Sequence, residues 1–215
     1  TLNLDETKIE QAVTNRTRAI VPVHYAGVSC EMDSIMEIAK RHGLLVIEDA
    51  AQGIMSSYKG LPLGGIGDFG TLSFHETKNI ISGEGGMLAV NDERFIDRAE
   101  IIWEKGTNRA AFHRKEVKKY EWVDVGSSYL PSEVMAATLH AQLMAIKGIQ
   151  KRRKEIWDIY YERLKPLAEQ GLLQVPETPD YATNNGNMVY VITKSLDERN
   201  SLIKYLGKNN IHSVF

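Results

Sequence analysis

Leu44-Leu45-Val46-Ile47-Glu48-Asp49-Ala50-Ala51-Gln52 is a short aliphatic run that stops on two adjacent carboxylates. Four apolar residues without alternation fit a strand covered on both faces. Upstream, Cys30 to His42 carries Met32, Ile35, Met36, Ile38 and Ala39 at helical spacing, and Gly43 follows where a helix would end. Before that helix, Arg18 to Val23 is a second β-rich run. Strand, helix and strand within this length predict a βαβ unit with parallel, buried strands. The chain therefore reads as α/β, with a mostly parallel central sheet and helices on both faces.

Working outward, the sequence predicts a helix over Leu4 to Val13 and strands near Thr71–Phe74 and Met87–Val90. Asp92 is placed to cap a helix running to about Trp103. Gly106 to Asp124 is polar, basic and aromatic without periodicity, and reads as a long loop. Ser132 opens a long helical pattern reaching Leu164, with a break expected near Gly148. Asn187 to Thr193 reads as a strand, Leu196 to Asn209 as a helix, and His212 onward as a strand. The expected division is a large domain over 1–168 and part of a smaller α/β domain over 169–215. Thr1 in place of methionine and the apolar pair Val214-Phe215 suggest a chain cut from a longer protein at both ends.

The chemistry is concentrated in Ser73-Phe74-His75-Glu76-Thr77-Lys78-Asn79, followed by Gly83-Glu84-Gly85-Gly86. Lys78 lies on a polar turn after a short apolar strand, and sites in α/β sheets gather at the carboxyl ends of strands. A lysine alone is usually a solvated turn residue. Together with Asp49 at the end of another strand, it supplies what pyridoxal 5'-phosphate requires. The amine forms a Schiff base with the aldehyde. The carboxylate pairs with the protonated pyridine nitrogen and keeps the ring an electron sink. Strand alternation sends Glu48 and Asp49 to opposite faces, so one of them can meet the cofactor. Gln52 could donate to the ring's phenolic oxygen or simply be a turn residue. Ser73 could bind the phosphate or its own backbone.

Other patterns are weaker. Gly65-Ile66-Gly67-Asp68-Phe69-Gly70 matches a dinucleotide fingerprint but precedes a strand, the wrong context. His75-Glu76 lacks the second histidine of a zinc-protease motif, and no histidine, cysteine and carboxylate cluster has metal spacing, so no metal is expected. Lys147, Lys151, Arg152, Arg153 and Lys154 read as a solvated helix face. Arg109, His113, Arg114 and Lys115 could meet a phosphorylated substrate. Of the 215 residues, 43% are hydrophobic and 25% charged, with a formal net charge of −2. That balance points to neither a nucleic-acid nor an anionic-membrane partner. No apolar run approaches the ~20 residues of a membrane span. The single cysteine, Cys30, fits a reducing, cytoplasmic setting.

Pro22-Val23-His24-Tyr25-Ala26-Gly27, Glu48 to Gly53, Ser73 to Asn79 and Gly83 to Gly86 together resemble the nucleotide-sugar aminotransferases, a fold-type I pyridoxal phosphate family. The likeness continues through Glu104 to Arg109 and Asp124 to Leu130, where it is closest to the branch that aminates C4 of dTDP-4-dehydro-6-deoxy-D-glucose. It implies L-glutamate as amino donor, a cytoplasmic homodimer, and a role in cell-surface polysaccharide synthesis. It implies Lys78 as the Schiff-base and catalytic residue, with Asp49, Gln52, Ser73 and Ser128 as cofactor ligands. Asn108, Arg109 and Tyr129 are implied substrate ligands. Ser127-Ser128 depart from the Tyr-Asn of many members, and the phosphate-binding asparagine falls on Ser128. The dehydratase branch has histidine at the lysine position, so Lys78 argues for amine transfer. A C3 aminotransferase and a non-catalytic pyridoxal phosphate-binding fragment are the competing expectations.

Overall fold

The computed structural model describes residues 1–215. After a helical turn at Glu6–Lys8 and α1 (Ile9–Ala12), the chain enters β1 (Ala19–Ile20), α2 (Met32–His42) and β2 (Leu45–Asp49). A small antiparallel ribbon follows, β3 (Ser57–Tyr58) against β4 (Leu61–Pro62), then β5 (Phe69–Ser73) and β6 (Gly86–Val90). The helices α3 (Ile96–Trp103), α4 (Arg109–His113), α5 (Glu133–Met144), α6 (Ile146–Glu169) and α7 (Leu196–Lys208) complete the chain.

The main sheet has the order β1-β2-β5-β6. The first two pairings are parallel, with Ala19 opposite Leu45 and Asp49 opposite Thr71. β6 returns antiparallel on β5, with Ser73 opposite Gly86. The predicted βαβ unit is therefore present. α2 forms because Met32, Ile35, Ile38 and Ala39 fall on one stripe and are buried against Ile20, Val46 and Ala50. Full burial of Met32 and Ile35 contributes roughly 1.5–3 kcal/mol each. Glu31 caps the helix by accepting from the amide of Ser34. Gly43 ends it at φ 63°, its amide donating to the carbonyls of Ala39 and Lys40.

Five expectations about elements need correction. The helix expected from Leu4 starts later, because Asp5 takes the capping position and accepts from the amide of Thr7. The Gly106–Asp124 stretch contains α4, a single turn closed by the Asn108 carbonyl accepting from the amide of Phe112. The long helix breaks at Ala145 rather than Gly148, because the Ala145 backbone takes φ −95° and ψ 2°. Asn187 to Thr193 meets a partner only through the Gln174–Ile192 bridge, and no strand forms from His212 onward. In 169–215 the one regular element is α7, and a segment, 181–187, packs back on the first region. The amide of Lys59 donates to the carbonyl of Tyr181 (2.6 Å), and the amide of Thr183 to that of Ser57 (3.0 Å).

One close approach shapes the sheet end. Gly70 pairs with Glu48, and a Cβ at Gly70 would lie 2.0 Å from the carbonyl oxygen of Gly64. Gly70→Ala is expected to destabilise the protein by about 1–3 kcal/mol or more, through displaced backbone. A urea midpoint indistinguishable from wild type would show that the 64–67 loop is free to move.

Candidate active site

Glu48 and Asp49 part company as strand alternation requires. Glu48 is fully buried on one face of β2. Its Oε2 accepts from Nε2 of His24 (2.9 Å) and the amide of Gly64 (2.9 Å), and its Oε1 from the amides of Ile66 (2.6 Å) and Gly67 (2.7 Å). The amide of Cys30 donates to Nδ1 of His24, so the ring proton sits on Nε2 and points at the carboxylate. Burial pushes the Glu48 carboxyl up, but the hydrogen bonds from His24, Gly67, Gly64 and Ile66 more than offset it. The result lies below the ordinary carboxylate value. The glycine-rich loop thus cradles an anion, but the anion belongs to the protein.

This depressed value sets a sign. Stability from the Glu48 charge is fully present above its unfolded value, about 4.3, and is lost as pH falls through the lower folded value. Glu48→Gln turns one acceptor into a donor facing amides. It is expected to cost about 3–5 kcal/mol near neutral pH. The gap from wild type in urea midpoint should narrow below about pH 4; a gap constant from pH 7 to pH 3 would contradict it.

Asp49, on the other face, is held by its backbone. Its amide donates to the carbonyl of Pro22 (2.9 Å), and its carbonyl accepts from the amide of His24 (3.1 Å). Oδ1 accepts from the amide of Ala51 (3.1 Å), leaving Oδ2 for another donor. Gln52 is oriented by the amide of Ala26, which donates to its Oε1 at 2.6 Å. Its Nε2 is thereby turned into the outward donor. Ser73 ends β5, two residues beyond the partner of Asp49, and its Oγ accepts from the amide of His75 (3.3 Å). The Ser73 hydroxyl proton is free to donate. Lys78 follows on a turn closed by its own amide donating to the carbonyl of His75 (2.9 Å). Its carbonyl accepts from Nη2 of Arg153 on α6 (2.9 Å). Asp49, Gln52, Ser73 and Lys78 all follow the carboxyl ends of the adjacent parallel strands β2 and β5.

The remaining predicted ligands lie elsewhere. Ser128 and Tyr129 are exposed on a segment hydrogen-bonded to the end of α3, the amide of Tyr129 donating to the carbonyl of Trp103. The Asn108 side chain closes its own loop, donating to the carbonyl of Lys119 (3.0 Å) and accepting from the amide of Glu121 (2.9 Å). Arg109 pairs with Glu104 at 3.6 Å. Arg114 is committed to Glu100 and Glu116. Arg153 leaves the solvated face expected for it and becomes half-buried, where desolvation lowers its guanidinium below the ordinary value. The sequence reading missed the pairing of His24 with Glu48 and the contacts of Asn79 and Asn185. The run Thr183-Asn184-Asn185-Gly186-Asn187 had a visible signal, a polar cluster abutting an apolar run.

An amine, a carboxylate with one free oxygen, an amide donor and a hydroxyl donor at one sheet end form the donor set that a pyridoxal phosphate demands. No His, Cys, Asp or Glu cluster suits a metal ion. The fold is that of the pyridoxal phosphate-dependent transferases of fold type I. Residues 1–214 match the model of the DegT/DnrJ/EryC1/StrS aminotransferase family, and the chain belongs to that family. The cofactor that goes with this membership is pyridoxal 5'-phosphate.

The chain is 36% identical to the GDP-perosamine synthase of Escherichia coli O157:H7 over 214 residues, 99% of this chain and 55% of that protein. It is 43% identical over 159 residues to the spore coat polysaccharide biosynthesis protein SpsC of Bacillus subtilis, covering 73% of this chain and 41% of the relative. A sugar aminotransferase of Streptococcus pneumoniae, Spr1654, solved in its pyridoxal phosphate form, superposes with a TM-score of 0.84 at 25% identity. That match spans 99% of this chain and 57% of the other. The chain spans about half the length of the curated relatives it matches. No helix is long and apolar enough to cross a membrane.

Proposed function

We propose that the protein transfers an amino group from L-glutamate to C4 of a 4-keto-6-deoxy nucleotide sugar, dTDP-4-dehydro-6-deoxy-D-glucose, in cell-surface polysaccharide synthesis. The observation that carries the reading is that Asp49 and Ser73 end the neighbouring parallel strands β2 and β5, and Gln52 and Lys78 follow on the turns after them. When bound, pyridoxal phosphate supplies an aldehyde for amine exchange and a protonated ring that takes up electron density. Lys78 Nζ would bind the cofactor's aldehyde and would serve as the base and acid that moves a proton at the reacting carbon. Asp49 Oδ2 accepts from the ring nitrogen and keeps its proton in place. Gln52 Nε2 donates to the ring's oxygen edge, and Ser73 Oγ donates to the phosphate.

The polysaccharide-linked names of the relatives support a nucleotide-sugar substrate. The name GDP-perosamine synthase favours a second reading, with GDP rather than dTDP as the carrier. Incubation with glutamate and a panel of dTDP- and GDP-linked 4-keto sugars, with 3-keto analogues alongside, decides between them. The expected product is 2-oxoglutarate in equal amount to a 4-amino sugar. Turnover confined to 3-keto sugars, or to the GDP series, would move the reading to a C3 enzyme or to the other carrier. We also propose a cytoplasmic homodimer with 1–168 and 169–215 as its two domains. The exposed segment carrying Ser128 and Tyr129 would reach the partner's cofactor, and the reduced, buried Cys30 fits that compartment.

A further inference from the structure

Gln52 and Asn79, the residue after Lys78, lie on different turns, and one downstream segment hydrogen-bonds to both. Asn185 is 1% exposed and Asn79 2% exposed. Nδ2 of Asn185 donates to the carbonyls of Gln52 (2.7 Å) and Ile54 (2.8 Å), across 133 and 131 residues of chain. Its Oδ1 accepts from the amide of Asn187 (3.0 Å). The Asn185 carbonyl accepts from Nδ2 of Asn79 (3.0 Å) and from Nε2 of Gln150. Nδ2 of Asn79 also donates to Oε1 of Gln150 (3.1 Å), and its Oδ1 accepts from Nδ2 of Asn187 (2.8 Å). Every donor of the two buried amides has a partner.

We propose that Asn79 and Asn185 are positioning residues that fix the lysine-bearing turn against the Gln52 turn, so that Lys78 is presented to the cofactor aldehyde at a set place. The inference rests on the pyridoxal phosphate reading above. The peptide joining Lys78 to Asn79 is gripped on two sides: the Lys78 carbonyl by Arg153, and the next side chain by Asn185 and Asn187. Asparagine suits both positions. It offers two donors and an acceptor on a short stem; aspartate lacks the donors, and glutamine needs room for a further methylene. The room does not exist at 185, because a Cβ built on Gly27 would already lie 2.0 Å from its Oδ1. Loss of the Asn185 amide leaves the carbonyls of Gln52 and Ile54 without its donors, and loss of the Asn79 amide leaves the Asn187 side chain without its acceptor.

A clamp that only holds the fold together and one that places Lys78 differ in a measurable ratio. Pyridoxal phosphate can link covalently to a lysine, whereas pyridoxamine phosphate, with an amine in place of the aldehyde, cannot. The test is the affinity of Asn79→Ala for each form, with absorbance and borohydride trapping at Lys78 as readouts and Lys78→Ala as reference. The expected result is a loss of about tenfold in pyridoxal phosphate affinity, with pyridoxamine phosphate affinity kept within about threefold. Asn187→Ala removes only the side-chain bond to Asn79 Oδ1. It should move the ratio in the same direction by less, and it stands in if Asn79→Ala does not fold. Equal losses for the two forms, or no loss for either, would overturn the positioning role. Failure of the wild-type protein to bind either form would sink the cofactor reading itself, and the inference with it.

Discussion

Lys78→Ala is expected to lower glutamate-dependent amine transfer by at least about 10³-fold. In the proposed function the residue combines covalent holding with proton transfer, and the second role alone is commonly worth about 10² to 10⁴. The fold should survive. The backbone of the turn keeps its bonds to His75 and Arg153 whatever side chain stands at 78. The variant should still bind the cofactor through Asp49, Gln52 and Ser73, so an unchanged melting temperature with bound but borohydride-resistant cofactor is the expected signature. Retention of more than a tenth of the activity would remove Lys78 from the mechanism.

Asp49→Asn should act on the same reaction from the other end of the ring. Asparagine keeps an Oδ1 acceptor for the amide of Ala51, so the local turn is preserved. What disappears is the charge on the free oxygen, and with it the reason for the ring nitrogen to remain protonated. Removing one preorganised charge-stabilising group commonly costs about 10²–10³ in rate. The loss should fall on kcat, with KM for the nucleotide sugar little changed, because the role proposed for Asp49 is toward the ring nitrogen and not the sugar. A loss confined to KM would assign the carboxylate to substrate binding instead.

The sheet end was legible because it rests on strong local patterns. The βαβ unit showed in the helical stripe of α2, its Gly43 terminator and the unalternated aliphatics before Glu48. The separation of Glu48 from Asp49 follows from the period of a strand. The sequence did not say which of the two would be enclosed. That was decided by the return of the 64–67 loop, whose amides gather around Glu48. The roles of Asn79, Arg153 and Asn185 were equally hidden, since each rests on contacts with residues scores of positions away. The misplaced elements share a cause. Strands predicted at 187–193 and after 212 need neighbours, and an apolar run does not supply its own.

The fit of Gly27 under Asn185 makes two positions far apart in the chain a single heritable unit. Gly27 sits at φ 77°, with the amide of Asn185 in the space a side chain would fill. A chimaera that takes residues 183–187 from one homologue and 22–27 from another must keep the glycine with the asparagine. A donor with a bulkier residue at either place would carry its incompatibility along, however similar the two parents were elsewhere.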